Sequence, residues 1–167
     1  FLHTADRDRS YASESTGWYI DEIEIITKVP EFTGDFESGW GDWSSGHGIW
    51  QIGTPGAGPG SCHGGEQCAG TVLDGNYSAN TDSRLISAPL DLPAVNGEQV
   101  LLLRFRQWIS YSSHDSGALQ ISVRDDTSGA WEAWETVGSL SAGVSVGWSH
   151  KDVDLSAYSG RRIKLGF

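Results

Sequence analysis

Asp21 sits in the stretch Gly17-Trp18-Tyr19-Ile20-Asp21-Glu22-Ile23-Glu24-Ile25, a carboxylate set among isoleucines. Period-two alternation predicts one β-strand, with Tyr19, Asp21, Ile23 and Ile25 on one face and Ile20, Glu22 and Glu24 on the other. A carboxylate in register with isoleucines on a buried face must be paired, protonated or bound to a cation. Cys62 and Cys68 flank a glycine-containing stretch. They point to a local disulfide of a secreted chain, with a zinc site completed by His63 or His47 as the alternative. Gly60-Ser61-Cys62-His63-Gly64 copies the letters of a nucleophile elbow but lacks the strand–turn–helix setting which that motif needs.

A second set lies on strand faces. Arg104, Arg106 and Trp108 alternate with the apolar residues of Val100–Tyr111, Gln120 and Arg124 recur on a later strand, and Arg162 and Lys164 on another. If those strands neighbour one another, they gather on one concave sheet face, where a ring beside arginines suits a sugar bearing carboxylate or sulfate. The competing reading is a solvated face, with Trp108 tucked under the Gly53–Gly70 segment and Trp131 and Trp134 as packing rings. Catalysis finds little support. Glu132 and Glu135 are spaced to face opposite ways on a strand, the wrong geometry for a glycosidase pair. His114 and Asp115 have no nucleophile fixed beside them. Asn76-Tyr77-Ser78 is a glycosylation sequon, meaningful only in a host that modifies such sites.

The elements that must position these residues are strands. The chain has 167 residues, enough for one β-domain, with 22 Gly, 8 Trp and no Met. A net charge of -11 argues against nucleic acid and anionic membrane as partners and suits an extracellular medium. No apolar run is long enough to cross a bilayer, and no signal peptide is recognisable. Residues 1 to 16 read as a solvated loop and 26 to 33 as a linker, because Pro30 blocks sheet continuation. Phe36 points inward, leaving Asp35 and Glu37 opposite, and short β-segments follow at Asp42–Ser44 and Ile49–Gly53. The Cys-bearing loop leads to strands at Ser83–Ser87, Val100–Tyr111, Leu119–Arg124, Trp131–Val137, Lys151–Leu155 and Arg161–Phe167. No helical period persists, so the fold class is all-β, a sandwich.

Four motifs then carry a resemblance. They are Asp35-Phe36-Glu37 with Gly39-Trp40, Ser83-Arg84-Leu85-Ile86-Ser87-Ala88-Pro89-Leu90-Asp91-Leu92, Leu103-Arg104-Phe105 and Gly17–Ile23. Together they resemble a MAM-like, concanavalin-like jelly roll, in the form that serves as an accessory domain of immune-inhibitor-A-type secreted bacterial peptidases and large surface proteins. The resemblance covers nearly the whole chain and implies a structural Ca²⁺ where first and last strands meet. Its ligands would be Asp21 and Glu37, with Asp35 and Asp82 as weaker additions.

One departure stands out. Such domains end on the Trp-Tyr-Ile-Asp strand, which here precedes the opening Asp-Phe-Glu. Arg161–Phe167 stops mid-strand and Phe1-Leu2-His3-Thr4 reads as its continuation, so the chain is expected to be circularly permuted or cut out of phase from tandem repeats. On the tandem reading residues 1–25 close a preceding jelly roll, 26–33 link, and 34–167 form the main body. The early strand then folds back onto its own sandwich or completes a neighbouring copy by strand exchange. The implied function is a non-catalytic, calcium-stabilised extracellular module for adhesion, spacing or enzyme support. Binding of acidic glycans and assembly into a strand-exchanged filament are the alternatives.

Overall fold

The computed structural model describes residues 2–4, 16–26, 30–140 and 142–167. Most of the loop expected over residues 1 to 16 lies outside them. Two antiparallel sheets pack face to face, each of seven strands among the described residues, as the all-β sandwich expectation requires. One sheet comprises β1 (Leu2–Thr4), β4 (Ser44–Gly46), β7 (Asp82–Ile86), β8 (Leu90–Asp91), β10 (Gly117–Val123), β11 (Glu135–Leu140) and β14 (Arg162–Gly166). The other comprises β2 (Gly17–Ile26), β3 (Pro30–Gly34), β5 (Gln51–Gly53), β6 (Cys68–Gly70), β9 (Leu102–Tyr111), β12 (Gly143–Val144) and β13 (Ser149–Asp154). Among the described residues no helix is long and apolar enough to cross a membrane.

Alternation explains most of the core. Leu103 and Phe105 of β9 face Leu85 of β7, Leu119 and Ile121 of β10, and Ile163 and Leu165 of β14, and all are buried. Strand β2 departs from simple alternation. Trp18, Ile20, Ile23 and Ile25 all join the main core, so Ile20 and Ile23 share a face that strict period two denies them. The cause is a bulge. The pairing of β2 with β9 shifts register between Asp21 and Glu24, and Glu22 has φ 47°. The expected partition of β2 is thereby corrected. Beyond the bulge the isoleucines change sides, and Asp21 stays away from the main core.

The expected linker is also corrected where described. Pro30–Gly34 is strand β3, paired with β2 at the sheet edge. Pro30 opens the strand opposite Ile26 at a register shift, a position where a missing N–H is tolerated. The opening Asp35-Phe36-Glu37 segment is a turn instead of a strand, with Phe36 buried at φ 59°.

Strand β2 lies between β9 and β6 of its own chain. Along β7, Gly166 stands opposite Ile86, while Leu2, His3 and Thr4 stand opposite Arg84, Ser83 and Asp82. Thus β14 and β1 follow one another along the same partner, in the order of a strand running from Phe167 into Leu2. Phe167 anchors this junction, with its ring 6.3 Å from Trp18, 5.6 Å from Phe105 and 5.7 Å from Trp43.

Candidate functional site

The β2 bulge has a chemical consequence, because it hands two successive carboxylates to the Cys62–Cys68 loop. Asp21, only 1% exposed, accepts the N–H groups of His63 at 2.8 Å and Gly64 at 3.0 Å on Oδ2. Its Oδ1 accepts the N–H of Glu22 at 2.9 Å. Glu22 Oε2 lies 2.8 Å from His63 Nδ1 and 3.8 Å from Arg106 Nε. From the other side, Glu37 Oε1 accepts the N–H groups of Glu66 at 3.1 Å and Gln67 at 2.9 Å. Gln67 Nε2 returns a bond to the Glu37 carbonyl at 3.0 Å. Asp35 supports Glu37 through an Asx turn, accepting its N–H at 3.2 Å.

The loop itself is closed by the Cys62–Cys68 disulfide, and there are no free cysteines. A β-carbon at Gly64 or Gly65 would collide with the carboxyls of Glu22 or Glu37, and Gly65 has φ 62°. Glycine therefore lets the acids reach the backbone. A short irregular loop has no ladder to satisfy its N–H groups, and these carboxylates satisfy them. Burial pushes the Asp21 carboxyl up to about 6, against the pull of the three N–H bonds and with help from the Glu22 charge.

As placed, this donor set does not suit the expected calcium ion. Such an ion needs six to eight oxygens, whereas the oxygens of Asp21 and Glu37 face N–H groups whose positive ends repel cations. Among the described residues no group of three or more His, Cys, Asp or Glu is placed to hold a metal. Asp82 lies on β7 in the opposite sheet, exposed, facing Thr4 across the ladder. The structure thus brings Asp21 and Glu37 to one loop, places Asp35 behind Glu37, and leaves Asp82 elsewhere.

The expected glycan face divides between the sheets. Arg104, Arg106 and Trp108 are on β9, whereas Gln120 is on β10 of the opposite sheet, with Arg124 just past its end. Arg104 makes a bidentate pair with Asp152, at 2.8 and 3.0 Å. Trp108 is 8% exposed and packs edge-on against Tyr19 at 5.3 Å, in a small outer cluster with Leu73 and Trp148. Trp148 Nε1 donates to the carbonyl of Ser61 at 3.0 Å, which ties this cluster to the disulfide loop. Tyr19 donates its hydroxyl to the Val72 carbonyl at 2.6 Å, and burial pushes its phenol up to about 12. Tyr19, Leu73 and Trp148 pack around Trp108, and the Gly53–Gly70 segment meets this cluster through the bond of Ser61 to Trp148.

On the other sheet, Gln120 accepts both Nε and Nη2 of Arg84, at 3.0 and 2.7 Å. Arg124 donates to the Gly129 carbonyl at 3.1 Å. Arg162 pairs with Asp91 at 3.0 Å. Arg84 stacks on Trp134 at 4.7 Å and Lys164 on Trp131 at 4.5 Å, so these rings cover strand cations. Sequence reading offered no signal for Glu37 capping the loop, since its partners are backbone N–H groups distant in the chain. Ser113 Oγ lies 3.1 Å from His114 Nδ1 on an exposed loop. Asp115 is buried and takes hydroxyls from Tyr77 and, at 2.7 Å, Ser112.

No protein-family model matches the chain, and no solved structure does. One curated relative is similar to it: Bacillopeptidase F of Bacillus subtilis (strain 168), 30% identical over 154 residues. That alignment takes in 87% of this chain but only 10% of the relative, so the chain spans about a tenth of the length of the protein it resembles.

Proposed function

We propose that the chain is a non-catalytic accessory module of a larger extracellular protein. It carries a disulfide loop clamped by carboxylates. The observation that carries this reading is the alignment, in which almost the whole chain answers to one small part of a much longer protein bearing a peptidase name. A unit of that size with its own core is what a domain added beside a catalytic region looks like. The disulfide supports an oxidising compartment. So does the resemblance to accessory domains of secreted bacterial peptidases carried by Asp35-Phe36-Glu37, Ser83–Leu92 and Gly17–Ile23. The polar residues offered for chemistry have structural duties: Arg104 on Asp152, Gln120 under Arg84, and Asp21 and Glu37 on the loop.

The test is the chain produced alone and oxidised. It is expected to unfold in one cooperative transition and to leave labelled casein intact over a day. Hydrolysis that disappears on Ser113→Ala or His114→Ala would overturn the non-catalytic reading. A chain that stays unfolded without its neighbours would overturn the modular one.

A further inference from the structure

The turn between β3 and β4 folds into a hollow that shares only Asp35 with the clamp. It has a volume of about 320 Å³ and is lined by Phe36, Trp40, Trp43 and Pro89, with Asp35 and Asp42 among them. We propose that this hollow binds one amino-sugar unit of a glycan, with the ring on tryptophan and the ammonium between the aspartates. The inference goes beyond the accessory-module reading, which names no ligand.

The walls are fixed before any ligand arrives. Two successive turns hold the segment, with the N–H of Gly39 donating to the Phe36 carbonyl and that of Trp43 to the Trp40 carbonyl, each at 2.9 Å. Trp43 is wedged against Phe36 at 5.5 Å and against the core ring of Phe167 at 5.7 Å. Gly34 lies beneath it, where a β-carbon would touch the indole at 3.4 Å. Trp40 is different. It is half-buried, and among the described residues its ring packs on no other ring and its indole N–H has no acceptor. A rigid ring wall beside an indole with unused bonding capacity suits a flat ligand with hydroxyl groups along its edge.

Charge selects among such ligands. Asp42 makes no hydrogen bond among the described residues, and Asp35 spends one oxygen on the N–H of Glu37. Neither forms an ion pair with a described cation. On a chain of net charge -11 the hollow repels uronic or sulfated sugars and attracts an ammonium. Trp40 and Trp43 add a cation–π contribution for an ammonium carried beside a stacked ring.

The experiment is a tryptophan-fluorescence titration of the chain with a β-linked glucosamine tetramer. Its N-acetylated counterpart and tetralysine serve as the other two arms. The proposal expects a Kd of about 1 mM or tighter for the glucosamine tetramer, weakened about tenfold by Trp40→Ala and several-fold by Asp42→Asn. Asp42 is exposed, so Asp42→Asn keeps the comparison valid if Trp40→Ala perturbs folding. Equal binding of the N-acetylated tetramer would overturn the ammonium's role, and equal binding of tetralysine would overturn the sugar's. Absence of all binding overturns the proposal entirely. It leaves the accessory-module reading standing, because that fails by hydrolysis or by failure to fold.

Discussion

Asp21→Ala is expected to cost about 2–4 kcal/mol of folding stability at neutral pH, measured by urea unfolding of the oxidised protein. The substitution removes the acceptor of the His63 and Gly64 N–H groups, which then face a void at a buried site. Each orphaned donor costs about 1–3 kcal/mol, and relief from holding a charge in that site offsets part of the loss. Asp21→Asn is expected to fall between, since it keeps one oxygen but turns an NH₂ group toward N–H donors. The same residue sets a pH signature. Its carboxyl titrates near about 6 when folded, above the usual range, because burial disfavours the charge. The folded state therefore holds this proton more tightly than the unfolded one. The associated stability is complete below the ordinary carboxylate range near about 4 and is lost as pH rises through about 6. Between pH 5 and pH 7 the native protein should lose roughly 1–2 kcal/mol from this group, and Asp21→Asn should lack that component. Parallel slopes for the two proteins would refute the assignment.

Trp18→Ala should be costlier, about 3–5 kcal/mol, because it removes a fully buried indole from the main core. Trp18 has no exposed surface. Its ring centroid is 6.1 Å from Trp50, 6.4 Å from Tyr111 and 6.3 Å from Phe167. Its backbone is fixed as well, with its N–H donating to Thr71 Oγ1 at 3.1 Å and its carbonyl accepting the Thr71 N–H at 3.0 Å. The surrounding rings cannot collapse into the space without leaving their own contacts, so the cavity term adds to the lost transfer energy. Against a typical stability of about 5–15 kcal/mol this loss is large. Denaturant unfolding measures it, and a cost under about 1 kcal/mol would mean that the rings around residue 18 do not form the core described.

How far the sequence reaches is visible in three residues. Phe105 was legible, because strict alternation over Leu101, Leu103 and Phe105 needs only the pleat of a strand, and all three are buried. Asp21 was half legible. The sequence marked it as a buried charge needing a partner, but the partners are the N–H groups of His63 and Gly64, and no side-chain pattern announces backbone donors. The bulge that aims it was hidden too, since a positive φ at Glu22 leaves no glycine in the sequence to betray it. Whether Gln120 lies beside Arg104 was not legible. Val100–Tyr111 and Leu119–Arg124 follow closely in the chain, yet the connection after Tyr111 crosses from one sheet to the other. Period and turn signals locate strands, whereas pairing across the sandwich is decided by contacts between distant segments.

The most direct test of the clamp is a thermal melt of the oxidised chain with excess chelator and again with millimolar calcium. If backbone N–H groups alone satisfy Asp21 and Glu37, the two midpoints agree within about 2 °C. A midpoint lower by about 10 °C or more in chelator would place a cation among those carboxylates and contradict the account.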